Sequence, residues 1–320
     1  MSEGPADRAG PAVEVTGIRH CFGEQVALDD ISFSVNAGEI FGFLGPDGAG
    51  KTTLFRILVT LLAPDAGEAR VLGLDVVRDL WPLRARLGYM PGLFSLYPDL
   101  SVAENLEFFA SVFGTTLAEE HELIEPIYRQ IEPFSGRRAG ALSGGMKQKL
   151  ALCCALVHRP DILILDEPTT GVDAVSRREF WDLLDRLKAG GLTILVSTPY
   201  MDEADRCDRV ALIQRGRLLD VDTPAQIRGR YPLPLLAVRG VDRYRLLLAL
   251  RRFPHARSAY PFGTELHYTD ARQDADTSQL IREIQGFLTG EGFTDVEVEP
   301  IEAGIEDSFM LQMGAPEGEA

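Results

Sequence analysis

The chain has 320 residues, of which 45% are hydrophobic, and its 32 basic and 48 acidic residues give a formal net charge of −16. This acidity argues against non-specific binding to nucleic acid, which needs a basic surface. No apolar run approaches the roughly 18 residues of a membrane span, and no signal-peptide pattern opens the sequence. We therefore expect a soluble, cytoplasmic chain that holds one large domain and one smaller domain.

The N-terminal part of the chain leads to a glycine-rich motif. Residues 1–12 are small, polar and contain Pro and Gly, which predicts a disordered tail. Strand patterns follow at Val13–Ile18 and Ala27–Val35, and Glu39–Leu44 reads as a buried strand. The next stretch, Gly45–Thr53, fits G-x-x-x-x-G-K-[ST] and is followed by a helical pattern. A strand, a glycine-rich turn and a helix N-terminus together predict a phosphate-binding loop.

The residues of this loop have distinct expected roles. Lys51 is expected to reach the β- and γ-phosphates, and the Thr52 hydroxyl is expected to ligate Mg²⁺. The glycines allow the backbone to approach a phosphate closely. The residues of the loop predicted to bind nucleotide are Gly45, Pro46, Asp47, Gly48, Ala49, Gly50, Lys51, Thr52 and Thr53.

Apolar runs after the loop predict a parallel sheet. The run 161–165 ends in Asp166 and Glu167, as in a central strand with carboxylates at its carboxyl end. Runs at 192–198 and 210–213 predict further strands of this kind, and the alternation with helices predicts an α/β fold. Asp166 is the expected direct or outer-sphere partner of Mg²⁺. Glu167 is expected to orient and polarise an attacking water, whereas the simpler alternative for both is a solvated strand end.

A second glycine-containing helix start, Leu142–Gln148, lies in a region of helical periodicity from about residue 100 to 155. Ser143 is expected to cap the helix, and Gly144 and Gly145 leave backbone N–H groups open to an anion. Two such helix starts would be redundant in a monomer. They therefore predict that two domains meet and that each supplies one of them to the other's nucleotide.

The C-terminal part has a different pattern. The composition changes at Tyr231–Pro234, and the predicted elements of 231–313 follow the order βαββαβ, which predicts a small α+β ferredoxin-like domain. His255 and His267 are isolated in the sequence and are interpreted as ordinary packed or surface histidines. Residues 314–320 form an acidic tail.

These motifs, in this order and spacing, resemble those of the ATPase subunits of ABC transporters over about residues 13–224. Gly45–Thr53 resembles the Walker A loop, Leu142–Gln148 the signature motif and Ile162–Glu167 the Walker B strand. The resemblance implies an ABC-type ATPase that uses ATP and Mg²⁺ on a P-loop NTPase fold. The ATPase domain would occupy residues 13–230, with a helical subdomain at about 88–155.

The resemblance also implies roles for residues outside the Walker motifs. Phe22 would stack on the adenine, and Asp173 would be the aspartate of the D-loop. The signature residues expected to contact a partner's nucleotide are Ser143, Gly144, Gly145 and Gln148.

Two segments, Asp173–Glu179 and Ile305–Phe309, look like those of the multidrug-efflux class, which is similar to the type-2 exporters. In that class two ATPases pair head to tail around ATP and drive separately encoded membrane subunits. The resemblance therefore implies a peripheral location on the inner face of the cell membrane. A coupling helix of the permease would dock on Gly88–Leu106 and the helices that follow, and the C-terminal domain would serve regulation or dimer contact.

The sequence departs from the family pattern at three positions. Gly92 stands where the family usually has a Gln that contacts Mg²⁺ and the attacking water, and Pro199 stands where it usually has a His that contacts the γ-phosphate. Asp47 replaces a commoner Asn, which is a milder change. Because proline has no donor, and because one lost donor typically costs about 2.7–4 kcal/mol of transition-state stabilisation, we expect ATP binding with impaired hydrolysis.

Several arrangements remain open at this stage. A heterodimer with one weak and one competent site, like the first half of fused proteins with two unlike ATPase halves, is favoured over a homodimer with sufficient turnover. A regulatory module that binds ATP but hardly hydrolyses it is another alternative. A non-transport ABC ATPase acting on ribosomes or DNA is disfavoured by the acidity and by the lack of a second ATPase domain or long coiled-coil insertion in this sequence. The motifs do not identify a transported substrate.

Overall fold

The computed structural model describes residues 10–93 and 95–313, without the side chains of 117–122. The predicted tail at 314–320 and residues 1–9 of the predicted tail at 1–12 lie outside the described residues. Ala12 is buried, and its N–H donates to the carbonyl of Val35 at 2.7 Å, so the last residue of the predicted tail is part of the folded unit, whereas β1 begins at Val13, as predicted.

The chain divides into two compact units between Pro224 and Ala225, whereas the sequence places the boundary after residue 230. The composition change at Tyr231 lies after the division, beyond a short helix at Pro224–Gly229. The strands of the first unit are β1 (Val13–Phe22), β2 (Gln25–Val35), β3 (Ile40–Leu44), β4 (Ala66–Val71), β5 (Leu74–Asp75), β6 (Leu87–Met90), β7 (Ile162–Asp166), β8 (Thr193–Thr198), β9 (Arg209–Gln214) and β10 (Arg217–Asp222). The helices before the division are α1 (Lys51–Leu58), α2 (Leu80–Arg84), α3 (Val102–Val112), α4 (Leu117–Tyr128), α5 (Gly144–Leu156) and α6 (Ala174–Ala189), and α7 (Pro224–Gly229) begins at the division itself.

Two sheets form the core of the first unit. A six-stranded sheet has the order β10-β9-β3-β8-β7-β6, in which all neighbours are parallel except β10 and β9. Every residue of β3, β7 and β8 is buried, because helices or the other sheet cover both faces of a parallel sheet. An antiparallel sheet with the order β2-β1-β4-β5 contributes the rest of the core. The predicted α/β class with a central parallel sheet is confirmed.

The helical region of the first unit begins later than the predicted residue 88, because β6 belongs to the parallel sheet. Its first helix, α3, starts with a capping box. The Ser101 hydroxyl accepts from the Glu104 N–H at 3.2 Å, and the Glu104 carboxylate accepts from the Ser101 N–H at 2.7 Å. The helices α3, α4 and α5 pack against one another, and α5 also packs on β6.

The second unit is a four-stranded antiparallel sheet with helices. Its elements are β11 (Leu235–Arg239), α8 (Arg243–Arg252), β12 (Ala256–Phe262), β13 (Glu265–Asp270), α9 (Thr277–Gly290), β14 (Glu297–Pro300) and α10 (Ile305–Met313). The sheet order is β12-β13-β11-β14. The sequence order βαββαβ and this strand order are those of the ferredoxin-like fold expected from the sequence. Apolar residues of α8 and α9 pack on one face of the sheet to form a separate core.

His267 is held between two carboxylates in this unit, which the sequence did not reveal. Its Nδ1 lies 2.7 Å from Asp307 Oδ1, its Nε2 lies 3.3 Å from Glu265 Oε1, and its ring stacks on Phe262. Burial alone lowers the pKa of His267, but the hydrogen bond and charge of Asp307, followed by those of Glu265, outweigh it and raise the pKa above its usual range. This contact ties α10 to β13.

Candidate nucleotide-binding site

The predicted site residues lie at one edge of the parallel sheet. The strands β3, β6, β7 and β8 run in the same direction, so their carboxyl ends meet at that edge. Along β7 and β8, Asp166 lies opposite Ser197, and along β3 and β8, Leu44 lies opposite Thr198. The glycine-rich loop after β3, the carboxylates at the end of β7 and the loops after β6 and β8 are therefore neighbours.

The glycines of the loop are required by its geometry. A Cβ on Gly45 would lie 2.1 Å from the backbone oxygen of Ile213, because the loop passes directly over β9. Gly48 and Gly50 have φ angles of +77° and +108°, in the left-handed region that favours glycine. A Cβ on Gly50 would also lie 2.7 Å from the backbone oxygen of Ala27. The spacing of the motif thus follows from two close backbone contacts and two left-handed positions.

The loop ends at a helix start that suits an anion. Gly50 is the N-cap of α1, and within the described residues no side chain caps this helix and no acidic residue lies in its first turn. The first N–H groups of a helix have no partner inside the helix, and the helix dipole favours negative charge there. This end of α1 therefore fits the phosphates of a nucleotide.

Lys51 links the loop to the carboxylates of β7. Its side chain is 3% exposed, and its Nζ donates to the carbonyls of Gly45 at 2.6 Å and Pro46 at 3.0 Å. The same Nζ lies 3.2 Å from Glu167 Oε1. The structure therefore brings together the cation and the carboxylate that the sequence predicts to act on one phosphate.

Asp166 and Glu167 are held by β8. The buried Asp166 accepts a hydrogen bond from the Ser197 hydroxyl at 2.6 Å. The backbone N–H of Glu167 donates both to that hydroxyl, at 2.9 Å, and to the Ser197 carbonyl, at 3.1 Å. The sequence did not single out Ser197, because a serine in an apolar strand carries no motif of its own.

The donor set at this edge suits a hard divalent cation. Thr52, the second residue of α1, is half-buried, and Asp166 is the last residue of β7. Oxygen donors of this kind suit Mg²⁺, which is usually held by one or two protein groups together with substrate phosphates. No group of three or more His, Cys, Asp or Glu side chains in the described parts of the chain forms a metal cage of its own. The residues present therefore fit a magnesium ion that is bound together with a nucleotide.

The three atypical positions also lie at this edge. A Cβ on Gly92, just after β6, would lie 3.1 Å from the Asp166 carbonyl oxygen and 3.8 Å from Asp166 Oδ2. Pro199 directly follows β8 and is half-buried. Asp47 is exposed in the loop itself. The departures thus lie next to the groups that would face the terminal phosphate.

The signature residues pack against the first turn of α6 and the loop that precedes it. A Cβ on Gly145 would lie 2.7 Å from the Ser176 hydroxyl oxygen, and one on Gly144 would lie 3.5 Å from the Gly171 carbonyl oxygen. Ser143 caps α5 as predicted, accepting from the Met146 N–H at 3.4 Å. Ser143 and Gly144 are exposed, and Gln148 is half-buried on the first turns of the helix.

Asp173 caps α6. Its carboxylate accepts from the N–H groups of Val175 at 3.1 Å and Ser176 at 3.0 Å. The hydrogen bonds from Ser176, followed by the one from Val175, hold the pKa of Asp173 below its usual range, so it is ionised at neutral pH. The close approach of Gly145 to Ser176 joins this capped helix end to the signature motif.

Phe22 is the last residue of β1, and its side chain is 50% exposed. Its ring meets the buried ring of His20 edge to face, with 4.7 Å between the ring centroids. An exposed aromatic ring that packs against a buried ring in this way is suited to stacking on the base of a nucleotide.

A groove of about 530 Å³ lies between α2, β6, α3 and α5, and residues of the segment Gly88–Leu106, where the resemblance implies docking of a coupling helix, contribute to its lining. Its lining is mostly apolar and includes Trp81, which is 76% exposed, and Val112, which is 61% exposed. Tyr89 also lines it, and burial together with the nearby charge of Asp166 raises the pKa of Tyr89 to about 12. The groove therefore adjoins the carboxylate end of the sheet.

Across the described ranges, no helix has both the length and the apolar character needed to cross a bilayer.

Comparison with known proteins agrees with these motifs. A family model described as ABC transporter matches residues 28–170. The chain is 42% identical over 220 residues to a probable multidrug ABC transporter ATP-binding protein, YbhF, of Escherichia coli K12, and this match covers 68% of the chain but 38% of that relative. The chain thus spans well under half the length of this curated relative.

Relatives of similar length also match. A Nod factor export ATP-binding protein I of Paraburkholderia xenovorans is 42% identical over 219 residues, covering 68% of this chain and 72% of that protein. Its counterpart in Bradyrhizobium diazoefficiens is 34% identical over 307 residues, covering 95% of this chain and 96% of that protein.

Solved structures share the fold. The structure of an ATP-binding subunit of an ABC transporter superposes with a TM-score of 0.63 at 29% identity, over 69% of this chain and 93% of that one. A dimeric cassette, MJ0796, bound to ADP and Pi has a TM-score of 0.59 at 24% identity, over 66% of this chain and 98% of that one, which supports the fold alone. With its phosphate loop, its paired carboxylates and a relative that matches over 95% of its length, the chain belongs to the ABC ATPase family, among the ATP-binding subunits of ABC transporters.

Proposed function

We propose that this chain binds MgATP at Gly45–Thr53 and couples ATP-driven dimerisation to export through a separate membrane permease. The observation that carries this proposal is the convergence of Lys51, Asp166 and Glu167 at one sheet edge, next to an uncapped helix start. Lys51 and the loop amides hold the phosphates. Thr52 and Asp166 hold Mg²⁺, which would screen the phosphate charge. Glu167 orients the attacking water.

The remaining predicted residues act around this centre. Phe22 stacks on the adenine of the nucleotide in the chain's own loop. The exposed signature start, Ser143–Gln148, and Asp173 face the nucleotide of a second ATPase subunit. Their packing against each other supports a shared role, because the capped start of α6 holds the signature residues in place.

We further propose that hydrolysis at this chain's own site is weakened. Pro199 directly follows Thr198, whose carbonyl accepts from the Gly45 N–H at 3.4 Å, so it lies beside the phosphate loop without a donor. Gly92 supplies no side chain next to Asp166. Glu167, Lys51, Thr52 and Asp166 are retained, and binding is therefore preserved while the γ-phosphate side has fewer donors.

Restoring both positions tests this proposal. In the double variant Gly92→Gln/Pro199→His, ATP turnover is expected to rise by about 100- to 1,000-fold, in line with the contribution of one preorganised donor. ATP affinity should change little, because the loop is untouched. Turnover is measured as phosphate release by the purified chain, and Pro261→His serves as a control substitution in the second unit. If the native chain hydrolyses ATP as fast as the restored variant, the weakened-site proposal fails.

We infer a heterodimer from the contrast between an intact signature motif and a weakened nucleotide site in the same chain. The signature motif is intact, so the chain can complete a competent site on an unlike partner while its own site clamps ATP. The alternative is a homodimer with adequate turnover. If the chain forms such a homodimer, the native chain alone should associate when ATP is added, which sedimentation measures. It should also hydrolyse ATP without the substitutions at Gly92 and Pro199, which phosphate release measures.

A permease partner is proposed for the groove. Its apolar lining, its exposed Trp81 and Val112, and its closeness to Asp166 suit the docking of an amphipathic helix near the nucleotide. Docking there would place the chain on the inner face of the cell membrane. The similarity to relatives named as multidrug and Nod factor export proteins supports export.

Placing a charge in the groove tests this docking. Val112→Asp is expected to abolish retention of the chain on membranes that contain its permease, because a carboxylate in an apolar interface loses its hydration. Val241→Asp is the matched control, since Val241 is 95% exposed and lies in the second unit. ATP binding by both variants should equal that of the native chain. Equal retention of the two variants would contradict docking at this groove.

A regulatory module that binds ATP and hardly hydrolyses it is the second candidate, and Pro199 is the observation that favours it. Retention of ATP affinity with no measurable turnover, even in complex with a partner ATPase, would select it over the transport motor.

A further inference from the structure

Ser197 lies where two strands of the active edge meet. It is the fifth residue of β8, it is fully buried, and it lies opposite Asp166 of β7 in the parallel register. It is two residues before Pro199, so it belongs to the strand whose usual terminal histidine is replaced in this chain.

The Ser197 hydroxyl is shared between the two carboxylate residues. It donates to Asp166 Oδ1 at 2.6 Å, and it accepts from the Glu167 backbone N–H at 2.9 Å. Because one hydroxyl both donates and accepts, the orientation of the Asp166 carboxylate is coupled to the position of the Glu167 backbone.

Glu167 has an unusual backbone conformation. Its φ is +48°, in the left-handed region that non-glycine residues rarely adopt. Such a conformation persists only where its surroundings hold it. Here the Ser197 carbonyl, at 3.1 Å, and hydroxyl both bind the Glu167 N–H, and the resulting direction of the side chain places Oε1 3.2 Å from Lys51 Nζ.

We propose that Ser197 is a positioning residue that orients Asp166 toward the metal and Glu167 toward the attacking water. The inference rests on the proposed roles of those two carboxylates. It adds that β8 still contributes a residue to the site, although Pro199, which follows this strand, cannot supply the hydrogen-bond donor of the usual histidine. The residues that would hold the metal are therefore still oriented by β8, even though the γ-phosphate side has lost a donor.

The test uses Mn²⁺ as the metal probe and ATP as the nucleotide. In Ser197→Ala, the affinity of the ATP-loaded chain for Mn²⁺, read by electron paramagnetic resonance, should fall about 10-fold or more, the range typical for groups that orient a metal ligand. ATP affinity in the absence of metal should be unchanged, because Lys51 and the loop are intact. Turnover in the Gly92→Gln/Pro199→His background should fall in kcat with little change in KM.

Thr193→Val is the matched control. Thr193 is a buried hydroxyl residue of the same strand, and its oxygen accepts from the Gly38 N–H at 2.9 Å, at the opposite end from the site. Its loss should leave Mn²⁺ affinity and kcat unchanged. Ser197→Cys keeps a weak donor of similar shape and should lose less Mn²⁺ affinity than Ser197→Ala, which provides a second variant if the alanine variant folds poorly.

Asp166→Asn separates failure of this inference from failure of the proposed site. If Asp166→Asn weakens Mn²⁺ binding and Ser197→Ala does not, Ser197 has no positioning role and the site assignment stands. If neither weakens it, the assignment of Asp166 is wrong as well. Combining both substitutions should add no loss beyond Asp166→Asn alone, and a fully additive loss would overturn the coupling through the Ser197 hydroxyl.

Discussion

Replacing Lys51 by alanine is expected to lower ATP affinity by about 10- to 100-fold, because each hydrogen bond to a charged group contributes about 1.5–3 kcal/mol. The Lys51 ammonium is almost completely buried, and its contacts with Gly45, Pro46 and Glu167 place it at the centre of the loop. No other lysine of the chain lies in Gly45–Thr53. Titration calorimetry with ATP and Mg²⁺ measures the change.

Lys188→Ala is the control for this substitution. Lys188 also pairs with an aspartate, Asp208, at 2.5 Å, but it lies at the end of α6, outside the loop. Its loss should leave ATP affinity unchanged, and thermal unfolding shows whether either variant is destabilised. Unaltered ATP affinity in folded Lys51→Ala would remove the basis for placing the phosphates at Gly45–Thr53.

Replacing Glu167 by glutamine is expected to reduce turnover by about 10²- to 10⁴-fold, the range for loss of a general base, while ATP remains bound. The glutamine keeps the shape of the side chain, and its oxygen can still accept from the Thr170 hydroxyl, now at 3.3 Å from Oε2. What is lost is the negative charge beside Lys51. The variant should therefore keep ATP bound and hydrolyse it slowly.

The fall in turnover is best measured both in the native chain and in the Gly92→Gln/Pro199→His variant. We expect weak turnover in the native chain, so a further decrease is easier to measure in the Gly92→Gln/Pro199→His variant. Glu179→Gln is the control, because Glu179 pairs with Lys149 at 2.6 Å on α6, away from the strand ends. Turnover in Glu167→Gln equal to that in Glu179→Gln would show that another group activates the water.

Much of the fold could be predicted from local patterns. The buried strands β3, β7 and β8 appear as continuous apolar runs because both faces of a parallel sheet are covered. The caps at Ser101 and Ser143 are local contacts between a side chain and an N–H three residues on, so sequence spacing suffices to predict them. Boundaries were less certain, since the start of the helical region depends on whether β6 joins the sheet.

Several parts of the site depend on contacts between distant segments. Ser197 lies about thirty residues after Asp166 and acquires its contacts only through the β7–β8 register. His267 looked isolated, because its partner Asp307 belongs to a helix that packs on the sheet from far along the chain. The apolar groove also forms only where α2, α3 and α5 surround β6.

By itself, the sequence determined the motif chemistry: a lysine and a threonine at a glycine-rich helix start, two carboxylates at a strand end, and a proline and a glycine where donors are usual. These assignments depend on residue type and local spacing, which the chain order contains. Only the tertiary structure decided which groups touch, because strand register and helix packing set distances between segments far apart in sequence. It brought Lys51 to Glu167 and Ser197 to both carboxylates, and it placed Gly45 so close to the carbonyl of Ile213 that no side chain fits there.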